Sequence, residues 1–134
     1  MKYLKITVIT PNFKKEFIDI ISLTIDTVAG ELTILPNHYP LITSFDATKI
    51  VLKKGKEKIL AFTSDGLINV KENEVIIICS AFTLKDNIDI ERAKKSLERA
   101  NNRLENIDST IDKNRALFSK KRATLRIKIF EEKV

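Results

Sequence analysis

Six arginines stand in the last third of the chain, Arg92, Arg99, Arg103, Arg115, Arg122 and Arg126, and none stands before it. Arg92 and Arg99 are seven apart and Arg122 and Arg126 four apart. On an α-helix either spacing puts both side chains on one face. Guanidinium groups brought together repel one another unless an anion lies between them. A phosphate chain suits that place, because each planar fork donates two charge-assisted hydrogen bonds. On spacing alone, a solvated basic face or a patch for an acidic protein is the simpler account. Catalytic candidates are thin. The chain has no G-x-x-x-x-G-K-[ST], G-x-G-x-x-G or G-x-S-x-G segment. The one histidine, His38, sits in Pro36-Asn37-His38-Tyr39-Pro40 and reads as a loop histidine near a turn. The one cysteine, Cys79, lies in an apolar run and reads as a buried small hydrophobe. With one of each, neither a His-rich metal centre nor a Cys–His nucleophile is expected, so no catalytic residue and no metal site is assigned.

The elements that must carry these residues fall into two classes. All three glycines and all three prolines precede residue 87, and all the arginines follow it. Residues 1–87 have a net charge of +1 and residues 88–134 of +5, out of +6 for the 134-residue chain. That asymmetry predicts two modules, 1–87 and 88–134. In the first, Lys5–Thr10 alternates with period two, as do Ile21, Leu23 and Ile25. Ile50–Phe62 reads as a hairpin about Gly55-Lys56, and Leu67–Phe82 as a second one about the polar Lys71–Glu74. The last strand, Val75–Phe82, is apolar on both faces, which predicts burial on both. Many short strands with frequent turns give an antiparallel β-sandwich or barrel.

The second module changes period. Ile90, Ala93, Leu97, Ala100, Leu104 and Ile107 recur every three or four residues, a heptad stripe on one helix face. Asp89 precedes it as an N-cap. Ser109 and Asp112 have capping-box spacing, so a second helix is predicted there, with Ile111, Phe118, Leu125 and Ile129 as its apolar face. Two helices and a short polar turn make an antiparallel hairpin. Residues 88–134 contain no Gly or Pro, so a nearly continuous helix of about 60 Å is also open to them. The class is therefore α+β, an N-terminal antiparallel β-sandwich followed by a C-terminal antiparallel two-helix hairpin.

No stretch approaches the ~18 apolar residues of a transmembrane helix, and Met1–Phe13 lacks the apolar block of a signal peptide. A single cysteine fits a reducing compartment. The basic balance raises nucleic-acid binding as an alternative, a free-standing basic module for nucleic acid or an acidic protein. Against the nucleic-acid reading, most aromatics lie in the first module, away from the arginines, and no RNP-like motif is present.

Two segments resemble one family, the epsilon subunit of bacterial F-type ATP synthases (delta in mitochondria). GELTILPNHYPLIT, residues 30–43, resembles that family's G-E-[FL]-G-I-L-P-G-H-x-P-L signature through Gly30, Glu31, Ile34, Leu35, Pro36, His38, Pro40 and Leu41. Thr33 and Asn37 stand where glycine is usual. IDIERA, residues 88–93, matches the I-D-x-x-R-A motif that opens the family's helices.

The resemblance implies a non-catalytic, central-stalk subunit whose sandwich, of about ten strands, binds the gamma subunit and the c-subunit ring and so couples ion flow to ATP synthesis. It implies a peripheral place on the cytoplasmic face of the membrane, touching the membrane only through its partners, and no nucleic acid. Glu31 and His38 would lie in the loop that faces the polar loops of the c ring. The helices would open along gamma into the alpha/beta catalytic head, meet acidic segments of beta, and inhibit hydrolysis. ATP would be a regulatory ligand of the closed hairpin rather than a required cofactor. The matching nucleotide-binding positions are Ile88, Asp89, Arg92 and Ala93, with Arg99, Arg122 and Arg126 beyond the motif. Thr83 departs from the glutamate that nucleotide-binding members often carry there.

Overall fold

The computed structural model describes residues 2–106 and 110–133. The strands are β1 (Leu4–Ile9), β2 (Lys14–Ile20), β3 (Ser22–Thr27), β4 (Gly30–Ile34), β5 (Leu41–Phe45), β6 (Thr48–Lys54), β7 (Glu57–Thr63), β8 (Gly66–Lys71), β9 (Glu74–Cys79) and β10 (Phe82–Leu84). A 3₁₀ turn, Lys85–Asn87, leads into α1 (Ile90–Glu105) and α2 (Thr110–Glu131). The chain divides into two compact units, a β unit ending at Leu84 and a helical unit, Lys85–Lys133. The 3₁₀ turn therefore goes with the helices.

Two five-stranded sheets form the β unit, ordered β2-β1-β9-β8-β5 and β10-β7-β6-β3-β4. Their pairings are antiparallel except for β1 with β9, which is parallel. Period-two alternation sets the core: in β1, Leu4, Ile6 and Val8 are buried while Lys5, Thr7 and Ile9 are not. They join Ile68, Val70, Val75 and Ile77 from the same sheet and Leu23, Ile25, Ile50 and Leu52 from the other in one cluster. The expected turns are present and differ in kind. Gly55 alone has positive φ (60°) between Lys54 and Glu57, as a type II′ turn requires. Glu72 and Asn73 both have positive φ (53° and 63°) between Lys71 and Glu74, the type I′ signature.

The last strand differs from expectation. It ends at Cys79, and the chain crosses into the second sheet as β10. Ser64 holds the crossing: its Oγ accepts from the Ser80 and Ala81 amides at 3.1 and 3.0 Å. Gly66 is required here, since a Cβ would strike the Ile78 carbonyl. Nor is β9 buried on both faces. Val75, Ile77 and Cys79 point into the core, whereas Ile78 is 51% exposed. The strand is interior to its sheet, which protects its edges but leaves one face open.

In the helical unit Asp89 caps α1 as the sequence predicts, accepting the Arg92 amide at 3.1 Å. Two helices form rather than one continuous rod, and they pack on each other. From the stripe, Ala93 and Ala100 are buried and Ile90, Leu97 and Leu104 half-buried. Ile107, the Ser109 cap and the side chain of Ile111 lie outside the described residues. The apolar face expected for α2 is corrected at Phe118, while Ile129 is buried and Leu125 half-buried as expected. Phe118 is 65% exposed, and the buried residues are Ala116, Ala123 and Ile129. Phe118 stands two residues, about 200° of helix rotation, from Ala116 and so faces elsewhere. Small side chains seven apart on both helices allow a close helix–helix approach.

Candidate functional site

An open cleft of about 260 Å³ lies on the helical unit, lined by Ser96, Arg99, Ala100 and Arg103 of α1 and Ser119, Arg122 and Arg126 of α2. Its construction is local. Ser96, Arg99 and Arg103 fall at i, i+3 and i+7, and so do Ser119, Arg122 and Arg126, so each trio shares a helix face. The segments read SLERANNR and SKKRATLR, two copies of S-x-x-R-A-x-x-R, residues 96–103 and 119–126. The alanine of each copy, Ala100 or Ala123, is buried. The close approach these alanines permit brings the flanking arginines together.

The lining has four guanidinium groups and no carboxylate. Burial, then the guanidinium groups of Arg122 and Arg92, pull the Arg126 pKa below the usual arginine value. Desolvation and like-charge repulsion both disfavour its charged form. An anion in the cleft would relieve both. Chemically the arrangement can bind a phosphate chain, and it offers no nucleophile, base or metal-ligand set.

Of the residues singled out in the sequence, Arg99, Arg122 and Arg126 line this cleft together. Arg92 is exposed and outside the lining, yet near enough to act on Arg126. Asp89 spends a carboxylate oxygen on the helix cap, and Ile88 and Ala93 are buried. Ser96, Arg103 and Ser119 were missed, although the repeated octet carries all three. Among the described residues no three His, Cys, Asp or Glu side chains are placed to hold a metal ion. Cys79 is buried, and burial pushes its thiol pKa up.

Glu31 and His38 do not share a loop. Glu31 is within β4, opposite Asp26 of β3, whereas His38 follows the far end of that strand. The extended backbone between them separates them by about 3.3 Å per residue of strand. The His38 loop is well held. The Asn37 amide donates to Asn73 Oδ1 at 2.6 Å, His38 Nδ1 lies 2.7 Å from the Tyr39 carbonyl, and the two rings stack at 4.5 Å. Asn37 takes φ 69°, a conformation that favours glycine, while Thr33 is an ordinary strand residue facing Thr24 at 3.1 Å between hydroxyls.

The β unit also carries an open apolar face. Ile9, Ile78 and Leu67 form one row across β1, β9 and β8, and Ile76 and Ile42 flank it on β9 and β5. Ile42, Leu67 and Ile78 are 69%, 49% and 51% exposed. A contiguous row of this kind marks a contact surface more than scattered apolar residues do. No helix among the described residues is long and apolar enough to cross a membrane.

Comparison with known proteins gives consistent matches. Residues 3–85 match the family model of the ATP synthase delta/epsilon chain β-sandwich domain, and residues 86–131 that of the delta/epsilon chain long α-helix domain. The chain is 40% identical over 133 residues to the ATP synthase epsilon chain of Clostridium kluyveri, covering 96% of this chain and 97% of that one. It is 38% identical over 130 residues to the ATP synthase epsilon chain of Halalkalibacterium halodurans, covering 96% and 98%. The fold is similar to a chain in the Tetrahymena thermophila mitochondrial ATP synthase central stalk and c ring, with TM-score 0.69, 14% identity and 96% and 97% coverage. A chain in the Euglena gracilis mitochondrial ATP synthase gives TM-score 0.68 at 19% identity, with 96% and 78% coverage.

Proposed function

This chain belongs to the ATP synthase delta/epsilon chain family, as a subunit other than the catalytic one, and we propose that it serves in the central stalk as a ligand-controlled brake on hydrolysis. In this reading the β unit docks on gamma and on the c ring, on the cytoplasmic face of the membrane, and transmits ion-driven rotation. The open row of Ile9, Leu67 and Ile78 offers apolar area for the larger of these contacts. The helical unit is the switch. Closed, it binds ATP through its arginines. Extended, it presents the same arginines to acidic segments of beta in the alpha/beta head and blocks hydrolysis.

The observation that carries this is the arginine cleft, because its lining comes from both helices. A ligand that needs α1 and α2 together binds only the closed form. It favours that form by RT ln(1 + [L]/Kd), about 2.7 kcal/mol at a hundredfold excess over Kd. A shift of that size governs a two-state element whose states differ by a few kcal/mol. Thr83 stands where nucleotide-binding relatives often carry a glutamate, a departure that counts against tight ATP binding.

The test is an ATP titration of the full chain, following the distance between a label on the β unit and one near residue 130. A saturable change that is lost in Arg92→Ala/Arg126→Ala is expected. No binding and no distance change at millimolar ATP would overturn the switch and recast the arginines as contacts for the catalytic head.

A further inference from the structure

We infer that the end of the β unit carrying the His38 loop is a membrane-surface contact, where lysines of the β6–β7 hairpin meet anionic phospholipid headgroups and Tyr39 and Leu35 enter the interface beside them. The family resemblance implies contact with the membrane through partners alone, and a direct contact goes beyond it. The helical unit and its arginine cleft take no part.

Strand direction gathers these residues. β3 pairs antiparallel with β4 on one side and with β6 on the other, so β4 and β6 run the same way. Leu23 lies opposite both Ile34 and Leu52. Leu35–Tyr39 therefore leaves the sheet at the same end as Lys54-Gly55-Lys56. From the other sheet, Asn73 Oδ1 accepts the Asn37 amide at 2.6 Å, and the Asn73 carbonyl accepts the Lys5 amide at 3.0 Å. The β8–β9 turn and the start of β1, with Tyr3 just before it, belong to this end too.

Charge and placement set the hairpin lysines apart. Residues 53–58 hold Lys53, Lys54, Lys56 and Lys58 against Glu57, a net charge of +3, whereas residues 1–87 as a whole carry +1. Lys53, Lys56 and Lys58 are exposed. Lys53 and Lys58 stand directly opposite each other on the paired strands, and like charges so placed destabilise a sheet. Lysines often guard a free sheet edge, but β6 and β7 are interior to their sheet. An anionic surface relieves the repulsion.

Side-chain type selects the surface. The β unit has no arginine, the residue whose rigid fork suits a fixed carboxylate or phosphate on a protein or nucleic acid. Lysine is a point charge on a flexible stem, and each one near an anionic bilayer adds to the attraction. Both tyrosines of the chain, Tyr3 and Tyr39, lie at this end and are exposed, Tyr39 by 70%. Leu35 is exposed beside them. Tyrosine is enriched at headgroup depth because its ring is apolar and its tip polar. Lysines alone suit any polyanion, whereas lysines beside exposed Tyr and Leu suit a bilayer interface.

The same tyrosines supply the readout: the chain has no tryptophan, so its tyrosine emission comes from this end alone. The full chain is titrated with vesicles of equal parts phosphatidylglycerol and phosphatidylcholine, and with vesicles of phosphatidylcholine alone. Co-sedimentation measures binding, and quenching by acyl-brominated lipid measures tyrosine insertion. Saturable binding with quenching is expected on the anionic vesicles, and little binding on the neutral ones. Lys56→Gln/Lys58→Gln is expected to weaken binding by about fivefold for each lysine, and Tyr39→Ser to reduce the quenching. Lys14→Gln/Lys15→Gln makes the same change of charge at the opposite end of the unit, where Lys14 faces Ile9, and should leave binding nearly as it was. Circular dichroism melts confirm that each variant is folded.

No binding to the anionic vesicles overturns the inference. So does binding without tyrosine quenching, which would pass the contact to the helical unit. Equal weakening by the Lys14/Lys15 and Lys56/Lys58 variants overturns it as well, since net charge would then suffice. Binding of poly-glutamate that depends on Lys56 and Lys58, in place of vesicle binding, overturns it in favour of an acidic protein. The ATP titration is read on other residues, so the proposed function stands or falls separately.

Discussion

The β unit and the helical unit are held together by different kinds of side chain. The first buries Phe45, Phe62, Leu4, Ile6, Ile25, Leu52 and Ile77 almost completely. At about 1.5–3 kcal/mol for each fully buried large apolar side chain, that is a deep reserve against conformational entropy. Among the described residues, the second buries Ala93, Ala100, Ala116 and Ala123, with Ile88 and Ile129 as the large ones. A buried methyl contributes only about 0.8 kcal/mol. The helices gain close packing and little hydrophobic free energy. The part with the strong core is thus suited to hold a constant shape and a docking surface. The part with the weak core is suited to change state when a ligand of ordinary affinity binds.

The largest effect that would break this comparison is in the sandwich. Phe45→Ala is expected to cost about 3–5 kcal/mol, the transfer loss plus the cavity left behind. Urea unfolding followed by the β-sheet signal measures it. A cost near that of a surface substitution would show that the β unit has no such reserve.

Much of this architecture can be read from residue order, and where it cannot the reasons are specific. Period two in Lys5–Thr10 and the heptad spacing from Ile90 to Leu104 fix element type, because each pattern is what one backbone geometry buries. Gly55 and the Glu72-Asn73 pair mark turns for steric reasons that act locally. Asp89 is legible as a cap for the same reason. The open face of β9 was not, since Ile76 and Ile78 have the composition of buried residues and what covers them need not belong to this chain. Phe118 misled in the same way: bulk drew the predicted face toward it, whereas closeness of approach selects alanine. Glu31 was assigned to a loop by resemblance, and the pairing of Leu32 with Ile25 and of Glu31 with Asp26 makes it a strand residue. In the cleft, Arg99, Arg122 and Arg126 were legible from their spacing, whereas Arg103 shows its place only through the repeated S-x-x-R-A-x-x-R octet.

The hairpin register gives the next test, and it sharpens the contrast between small and large packing residues. Ala123→Leu inserts a bulky chain at a fully buried position and is expected to destabilise the helical unit by about 1–3 kcal/mol. Phe118→Ala removes a far larger side chain from an exposed position and is expected to change stability by less than about 0.5 kcal/mol. Helical circular dichroism during thermal unfolding reads both. The reverse order would mean that the helices pack through Phe118 and that the alanine seam is incidental.

The smallest effect concerns how the weakly buried unit is fastened at its end. Carbonyls in the last turn of a helix have no partner within it. In α2 the Glu132 amide turns back to the Ile129 carbonyl at 3.3 Å. The Phe130 carbonyl is met instead by Lys85, from the 3₁₀ turn before α1, whose ammonium donates to it at 3.0 Å and lies 5.7 Å from the Phe130 ring centroid. One cation thus satisfies an orphan acceptor, complements the negative end of the helix and contacts an aromatic face. At a partly exposed site these are together about 1 kcal/mol. Lys85→Met keeps the aliphatic stem and removes the charge. It is expected to raise amide exchange through the final turn of α2 by about fivefold, the local-opening equivalent of 1 kcal/mol, while exchange in the sandwich strands stays as it was. Unchanged protection in that turn would mean that the seam of alanines alone holds the helix down, and that the contrast between the two units lies wholly in their cores.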